Sequence, residues 1–331
     1  MTHPTPIFDG HNDVLLRLMH KGDHASGAKA FLEGTDKGHL DLPRARAGGF
    51  TGGLFAVFCP PIERAASVEE LMRGETYDIP LPTGLALTDA QQAAIAMIAG
   101  LFRIERSSKG AVRICRNAAD IDCAAVSGAL AAVLHIEGAE PIDADFRMLD
   151  ILYQAGLRSI GPVWSRSNIF GHGVPFRFPS SPDTGPGLTD AGKALVKACN
   201  ELKVLIDLSH LNEKGFWDVA KLSDAPLVAS HSNAHAVSPH SRNLTDDQLR
   251  AIRDSGGLVG INYATSFLRE DGRMNADTPL ETLVRHSDHL IGILGPDGVG
   301  LGSDFDGAVI PTALGDVSGL PKLVEAFRAA G

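Results

Sequence analysis

Short apolar runs, bounded by glycine, proline and polar clusters, recur along the chain. Eight read as strands: Ile7–Asp9, Gly53–Phe58, Ala131–Ile136, Ser159–Val163, Val204–Leu208, Leu227–Ser230, Leu258–Asn262 and Val299–Gly302. They are rich in Val, Ile and Leu and alternate little with polar positions, as strands buried on both faces do. Between most of them the apolar spacing changes to that of amphipathic helices. Thr88–Arg106 is long and apolar-periodic, and Ala144–Ala155 runs into Gly156. Thr189–Leu202 opens on Thr189-Asp190, Thr245–Ser255 stops at Gly256-Gly257, and Thr278–Leu294 carries a proline just inside its start. Strand and helix alternating to a count near eight predict an α/β fold, a (β/α)8 TIM-like barrel rather than an open doubly wound sheet. No repeat or long linker divides the chain, so one barrel domain over residues 1–331 is expected. Two excursions interrupt the pattern: Leu71–Pro82, and Gly161–Gly187 with five prolines and five glycines, which reads as an ordered loop over the barrel mouth.

Composition narrows the function. With 30 Lys and Arg against 40 Asp and Glu, the formal charge is −10, which argues against nucleic-acid binding because phosphates need a basic surface. A hydrophobic share of 44% with 21% charged residues excludes a disordered chain. No apolar run reaches the roughly 18 residues of a membrane span. The start, Met-Thr-His-Pro-Thr-Pro, has neither a basic patch nor an apolar stretch, so no export signal is expected. The four cysteines, Cys59, Cys115, Cys123 and Cys199, have no CxxC spacing, and reduced thiols in the cytoplasm are the expectation. No GxGxxG follows the first strand, which weighs against dinucleotide binding.

Thirteen histidines are more than average composition needs. Several fall, with acids, at the C-terminal ends of the expected strands, the rim on which barrels of this class build active sites. His11 and Asp13 follow the first strand, Glu137 the third, His210 the fifth, His231 the sixth and Asp304 the eighth. One histidine at a strand end usually serves a hydrogen bond, and Asp306 before Gly307 has the look of a turn residue. The coincidence of the set is what points to divalent metal, zinc above all for these nitrogen and oxygen donors. Two histidines and two carboxylates, one carboxylate shared, can hold two cations about 3.5–4 Å apart and acidify a bridging water from about 15.7 to near 7. A neighbouring carboxylate can then move the proton. There is no GxSxG elbow and no cysteine at a rim position, so hydrolysis without a protein nucleophile is expected. His3, His20, His24, His39, His286 and His289 lie in loops or helices and are expected at the surface.

Five motifs in order carry a resemblance. Asp9-Gly10-His11-Asn12-Asp13, Ile136-Glu137-Gly138, Asp207-Leu208-Ser209-His210, Ser230-His231-Ser232-Asn233-Ala234 and Gly302-Ser303-Asp304-Phe305-Asp306-Gly307 are similar to those of the membrane (renal-type) dipeptidase family, peptidase family M19, of the amidohydrolase-like barrels. The likeness runs from about Ile7 to Gly307. It implies two zinc ions, one on His11 and Asp13, the other on His210 and His231, with Glu137 and a water or hydroxide bridging them. It implies Asp304 as the acid/base carboxylate and Arg242, in Ser241-Arg242-Asn243, as the group gripping the C-terminal carboxylate of L-Xaa-L-Xaa or L-Xaa-D-Xaa dipeptides. A guanidinium fork matches a carboxylate in bidentate fashion. Loops after the fourth and seventh strands, with Trp164, Phe170, Phe176 and Tyr263, are expected to set substrate preference, and Tyr263 is a candidate substrate contact.

The chain departs from the family in three places. The animal enzymes carry a substrate-stabilising histidine after strand four in a Thr-His-Ser-x-Asn setting, whereas here the segment is Pro162-Val163-Trp164-Ser165-Arg166-Ser167-Asn168. His172, between Gly171 and Gly173, is the candidate to fill that space. No lipid-anchor tail is visible, although the animal proteins are exported and anchored. Family members continue past Ala329-Ala330-Gly331 with another helix, so a truncated or short chain is expected. Two other activities stand beside dipeptide hydrolysis: cleavage of another small amide, β-lactam or lactone, and metal binding without catalysis, which the full donor set with Asp304 disfavours. A homodimer is the expected assembly.

Overall fold

The computed structural model describes residues 4–19, 24–61 and 68–331. Each of the eight expected strands is present: β1 (Ile7–Asn12), β2 (Phe50–Phe58), β3 (Leu130–Glu137), β4 (Leu157–Gly161), β5 (Leu205–Ile206), β6 (Val228–Ala229), β7 (Leu258–Asn262) and β8 (Val299–Gly302). Side by side they run in the order β5-β4-β3-β2-β1-β8-β7-β6, every pair parallel. The two ends of that path meet where Asp207 bridges Val228 and the Leu208 amide donates to Val228 O at 2.9 Å. The sheet therefore curls into a nearly closed barrel with helices outside it. β3 is buried at all eight positions, six of them apolar and the other two His135 and Glu137.

The helix boundaries follow their caps. Thr189 accepts from the Gly192 amide ahead of Asp190–Leu202, and Thr245 forms a capping box with Gln248 ahead of Asp246–Asp254. Gly156, at φ +118°, ends Arg147–Ala155 in the left-handed region, where a side chain would be strained. That helix starts at Arg147 rather than Ala144, because Phe146 itself adopts φ +61° and the Asp143 carboxylate gathers the Asp145, Arg147 and Met148 amides in a turn. The helix expected from Thr278 begins at Glu281, since Thr278 Oγ1 bonds back to Asn275 O in the preceding turn. A strand with no sequence expectation, Val112–Ile114, pairs with the first residues of β3. Among the described residues no helix is long and apolar enough to cross a membrane. All four cysteines are free thiols, only Cys123 exposed.

The two excursions meet over the mouth. Tyr77–Asp78 pairs antiparallel with Arg177–Phe178, and this ribbon has its own small core of Met72, Tyr77, Ile79, Phe178, Ala264 and Phe267. The surface expectation fails at His286. It is fully buried, its Nδ1 accepting from the Ala234 amide while Nε2 pairs with Leu268 O, because it lies on the inward face of the Glu281–Leu294 helix. His39 and His289 are half-buried; His3, His20 and the side chain of His24 lie outside what the structure describes.

Candidate metal centre

Side chains two apart on a strand point the same way. That parity aims Asp9, His11 and Asp13 from β1 and its end, and His135 and Glu137 from β3, into the barrel, where all five are buried. His210 and His231, just past β5 and β6, complete the group. Glu137 Oε1 is its centre, 2.9 Å from His210 Nε2, 3.4 Å from His231 Nε2 and 3.7 Å from His11 Nε2. His11 Nε2 lies 3.3 Å from Asp13 Oδ2, and the two nitrogens His210 Nε2 and His231 Nε2 face each other at 3.1 Å. His11, Glu137 and His231 make one triad whose donor atoms could hold an ion; His11, Asp13 and Asp304 make another.

The far ring nitrogens are committed elsewhere. Ser165 Oγ pairs with His210 Nδ1 at 2.9 Å. Ser230 Oγ donates to Asp207 Oδ2 and accepts from His231 Nδ1 at 2.8 Å. Asp207 Oδ1 also collects the Ser209 hydroxyl at 2.6 Å and the Ser230 amide at 2.8 Å. With Nδ1 occupied, the Nε2 lone pairs face Glu137, the orientation that metal-binding histidines gain from such partners. Both His11 nitrogens and Asp13 Oδ1 are buried without a hydrogen-bond partner. Buried polar atoms are rarely left so unless something else serves them.

The electrostatics say the same. Burial holds Glu137 well above the usual carboxylate range, and Asp13 and Asp304 push it further. Burial and the Asp13 charge raise Asp304 to about 6. His210 and His231 are held well below the ordinary imidazole value by burial and then by nearby Arg242 and His11. Burial works against the His11 imidazolium, yet Glu137 and Asp13 together bring it up to about 10. The His210 and His231 imidazoles, held neutral, and the proton that the crowded acids draw to His11 mark a donor set short of positive charge. Divalent cations fit that donor set in kind and in charge.

Asp304 and Arg242 flank the cluster. Asp304 sits at φ +58° in the turn after β8, its Oδ2 accepting from Asn262 Nδ2 at 2.9 Å. A Cβ at Gly307 would run into the Asp13 and Asp304 carboxylates, so only glycine lets that turn approach so closely. Arg242, 3% exposed, donates to Ser209 O and to His231 O, and its Nη2 lies 3.2 Å from His210 Nε2. Its Nε has no partner, and its guanidinium lies 5.4 Å from the Phe267 ring. His172 is half-buried with Nδ1 3.2 Å from Ser167 Oγ, and no hydrogen bond or ion pair among the described residues joins it to the cluster. Tyr263 is fully buried beside Phe305 at 5.6 Å, its hydroxyl unpartnered.

Several supporting residues went unread in the sequence: Asp9, His135, Asp207, Ser165, Ser230, Asn262 and a buried ion pair. Asp9 and His135 share the inward parity of His11 and Glu137, and that signal could have found them. The ion pair joins Glu140, just past β3, to Arg166, past β4, at 2.9 Å, and Arg166 Nη2 also donates to Cys59 O beyond β2. It ties three strand ends together behind Ser165. Removing one partner strands a buried charge, so Arg166→Ala is expected to cost about 3–5 kcal/mol in urea unfolding. A loss under ~1 kcal/mol would show the pair to be dispensable.

The family model for membrane dipeptidase, peptidase family M19, matches residues 1–331. The chain belongs to that family. Family M19 is a class of metallo-dipeptidases, and this chain is one by class. A crystal structure of a metallopeptidase from Rhodobacter sphaeroides, liganded with a phosphinate mimic of the dipeptide L-Ala-D-Ala, is similar to this chain with a TM-score of 0.97 and 55% identity, covering 99% of this chain and 93% of that one. A second structure, of a metallopeptidase of family M19 described as a dipeptidase, is similar with a TM-score of 0.96 and 55% identity over 99% of this chain and 92% of that one. An uncharacterized protein encoded in the pqqA 5' region of Klebsiella pneumoniae is 57% identical over 241 residues, 73% of this chain and 87% of that protein.

Proposed function

We propose that the chain hydrolyses dipeptides, L-Xaa-L-Xaa and L-Xaa-D-Xaa, at a centre of two zinc ions. His11 and Asp13 would hold one ion, His210 and His231 the other, and Glu137 both. The observation that carries this reading is the position of Glu137 Oε1 among three imidazole Nε2 atoms, two of them oriented by serines bound to their far nitrogens. When bound, such ions polarise a carbonyl and lower the pKa of water from 15.7 to about 7.

The protein groups divide the remaining work. Arg242 holds the substrate's C-terminal carboxylate through the Nε that no protein atom uses, fixing which carbonyl reaches the cluster. Asp304, at the edge of the cluster and fixed by Asn262, takes a proton and delivers it to the leaving amine. His11, Asp13, Glu137, His210, His231 and Arg242 are all buried, and the low exposure strengthens each of these interactions. His172 and the unpartnered Tyr263 hydroxyl are the two further groups assigned to the substrate side. The dipeptide mimic bound by the Rhodobacter sphaeroides relative supports the substrate class.

The direct test combines metal analysis and turnover on one sample. A chelator is expected to abolish cleavage of L-Ala-L-Ala and L-Ala-D-Ala, and zinc to restore it as the metal content returns to two ions per chain. Turnover that survives complete metal removal would contradict the proposal.

A further inference from the structure

We infer that Trp164, Phe176 and Phe267 form the wall that meets the side chain of the substrate's C-terminal residue, and that this wall selects small uncharged side chains. The inference rests on the dipeptidase reading above and goes on to name the part of the substrate on which selection acts.

Three ring contacts lay the wall out. The Trp164 ring lies 5.9 Å from that of His210 in the imidazole–carboxylate cluster. Phe176 packs edge-on against Trp164 at 5.8 Å and, tilted, against Phe267 at 5.7 Å. Phe267 in turn lies under the Arg242 guanidinium at 5.4 Å. The aromatic surface thus runs without a break from the cluster to the carboxylate-binding arginine. In a dipeptide whose scissile carbonyl is at the cluster and whose carboxylate is at Arg242, only the C-terminal residue spans that interval. Its side chain is the one that must lie along the rings. Trp164 and Phe176 are half-buried, so each keeps a face open, whereas Phe267 is buried behind them.

The wall is also held rigidly with respect to the arginine. The Ser241 amide donates to Arg177 O at 3.1 Å, the Arg177 amide donates to Ser241 Oγ at 3.0 Å, and Ser241 Oγ donates to Pro175 O. Phe176 sits between the two residues so tied, and Arg242 follows Ser241 directly. On the other side the Ile79 amide donates to Phe176 O at 2.9 Å, and the ribbon core of Met72, Tyr77 and Phe178 backs the segment. A fixed wall cannot withdraw for a bulky side chain, and overpacking against it costs binding. It offers no countercharge either. A lysine side chain would face Arg242, and an acidic one would compete for the same guanidinium.

Steady-state kinetics on two dipeptide series test this. One series varies the C-terminal residue of L-Ala-Xaa, the other the N-terminal residue of Xaa-L-Ala, with Ala, Leu and Lys at the varied position. Wild-type enzyme is expected to prefer Ala over Lys at the C-terminal position by roughly 10² in kcat/KM. Phe176→Ala is expected to raise the Leu-to-Ala ratio at the C-terminal position about tenfold or more, with the same ratio at the N-terminal position changed less than about twofold. If Phe176→Ala does not fold, Phe176→Leu and Trp164→Phe carry the same test with smaller shifts of the same sign. A folded, metal-loaded variant with an unchanged C-terminal ratio, or one whose N-terminal ratio moves instead, overturns the assignment. A wild-type enzyme that cleaves no dipeptide in either series refutes the functional reading itself, a distinct outcome from active wild type with unaltered variant ratios.

Discussion

Glu137→Gln is expected to remove both the bound metal and the activity while leaving the metal-free fold nearly as stable as before. The carboxylate oxygen at the centre of the cluster faces three imidazole nitrogens, between 2.9 and 3.7 Å away. An amide offers one weaker acceptor and no charge there. Losing several kcal/mol of charge stabilisation corresponds to a fall of about 10³ or more in kcat/KM. The metal-free protein should respond differently. Burial holds the Glu137 carboxyl well above its usual range, so its charge is costly to keep there without a cation, and glutamine matches it in size and polarity without that cost. Ligand binding to the folded state raises its melting temperature by mass action, and that increment disappears when binding does. The expected pattern is therefore equal melting temperatures without metal, a zinc-induced rise in wild type alone, and metal content well below two per chain in the variant. A variant that keeps two ions and activity within tenfold of wild type would remove Glu137 from its assigned place.

How far the sequence foretold this centre depended on whether a residue's role was local. The strands were legible because a barrel strand buried on both faces is mostly an apolar run, and β3 is buried at every position with only His135 and Glu137 polar. The ends of those runs then located His11, Glu137, His210, His231 and Asp304. Asp207 was not legible, because its work is done at a distance in sequence. It receives the Ser230 amide and hydroxyl 23 residues away, and an aspartate inside an apolar strand gives no hint of that partner. The Glu140–Arg166 pair was hidden for the same reason. The helix before Gly156 was placed too early because Phe146 adopts a left-handed conformation that its side chain does not advertise. His286 was misread as exposed because a single histidine on a helix does not reveal which face is inward. The ribbon over the mouth could not be foreseen from two strands of two residues each, which pair only because the excursions carrying them converge.

Arg242→Lys is the second large effect, and it should appear in substrate discrimination more than in turnover. The guanidinium donates to Ser209 O and His231 O, which leaves Nε without a protein partner in a fully buried setting. An unsatisfied buried donor costs free energy until something accepts from it, and a substrate carboxylate is an acceptor of matching charge. Lysine keeps a positive charge but loses the planar fork, so it cannot serve both carbonyls and the carboxylate together. A charged hydrogen bond contributes about 1.5–3 kcal/mol, and the loss of the one from Nε predicts a fall of roughly 10–10² in kcat/KM. Because the carboxylate is held equally before and during bond cleavage, the greater part should enter through KM. The control is a dipeptide amide. Wild type should strongly prefer L-Ala-L-Ala over its amide, and Arg242→Lys should erase about tenfold or more of that preference. Metal content in the variant should stay at the wild-type value, since a lysine charge still opposes the buried acids. Unchanged discrimination between acid and amide, with metal intact, would mean that the carboxylate is held elsewhere and that this arginine serves only to brace the loops carrying His210 and His231.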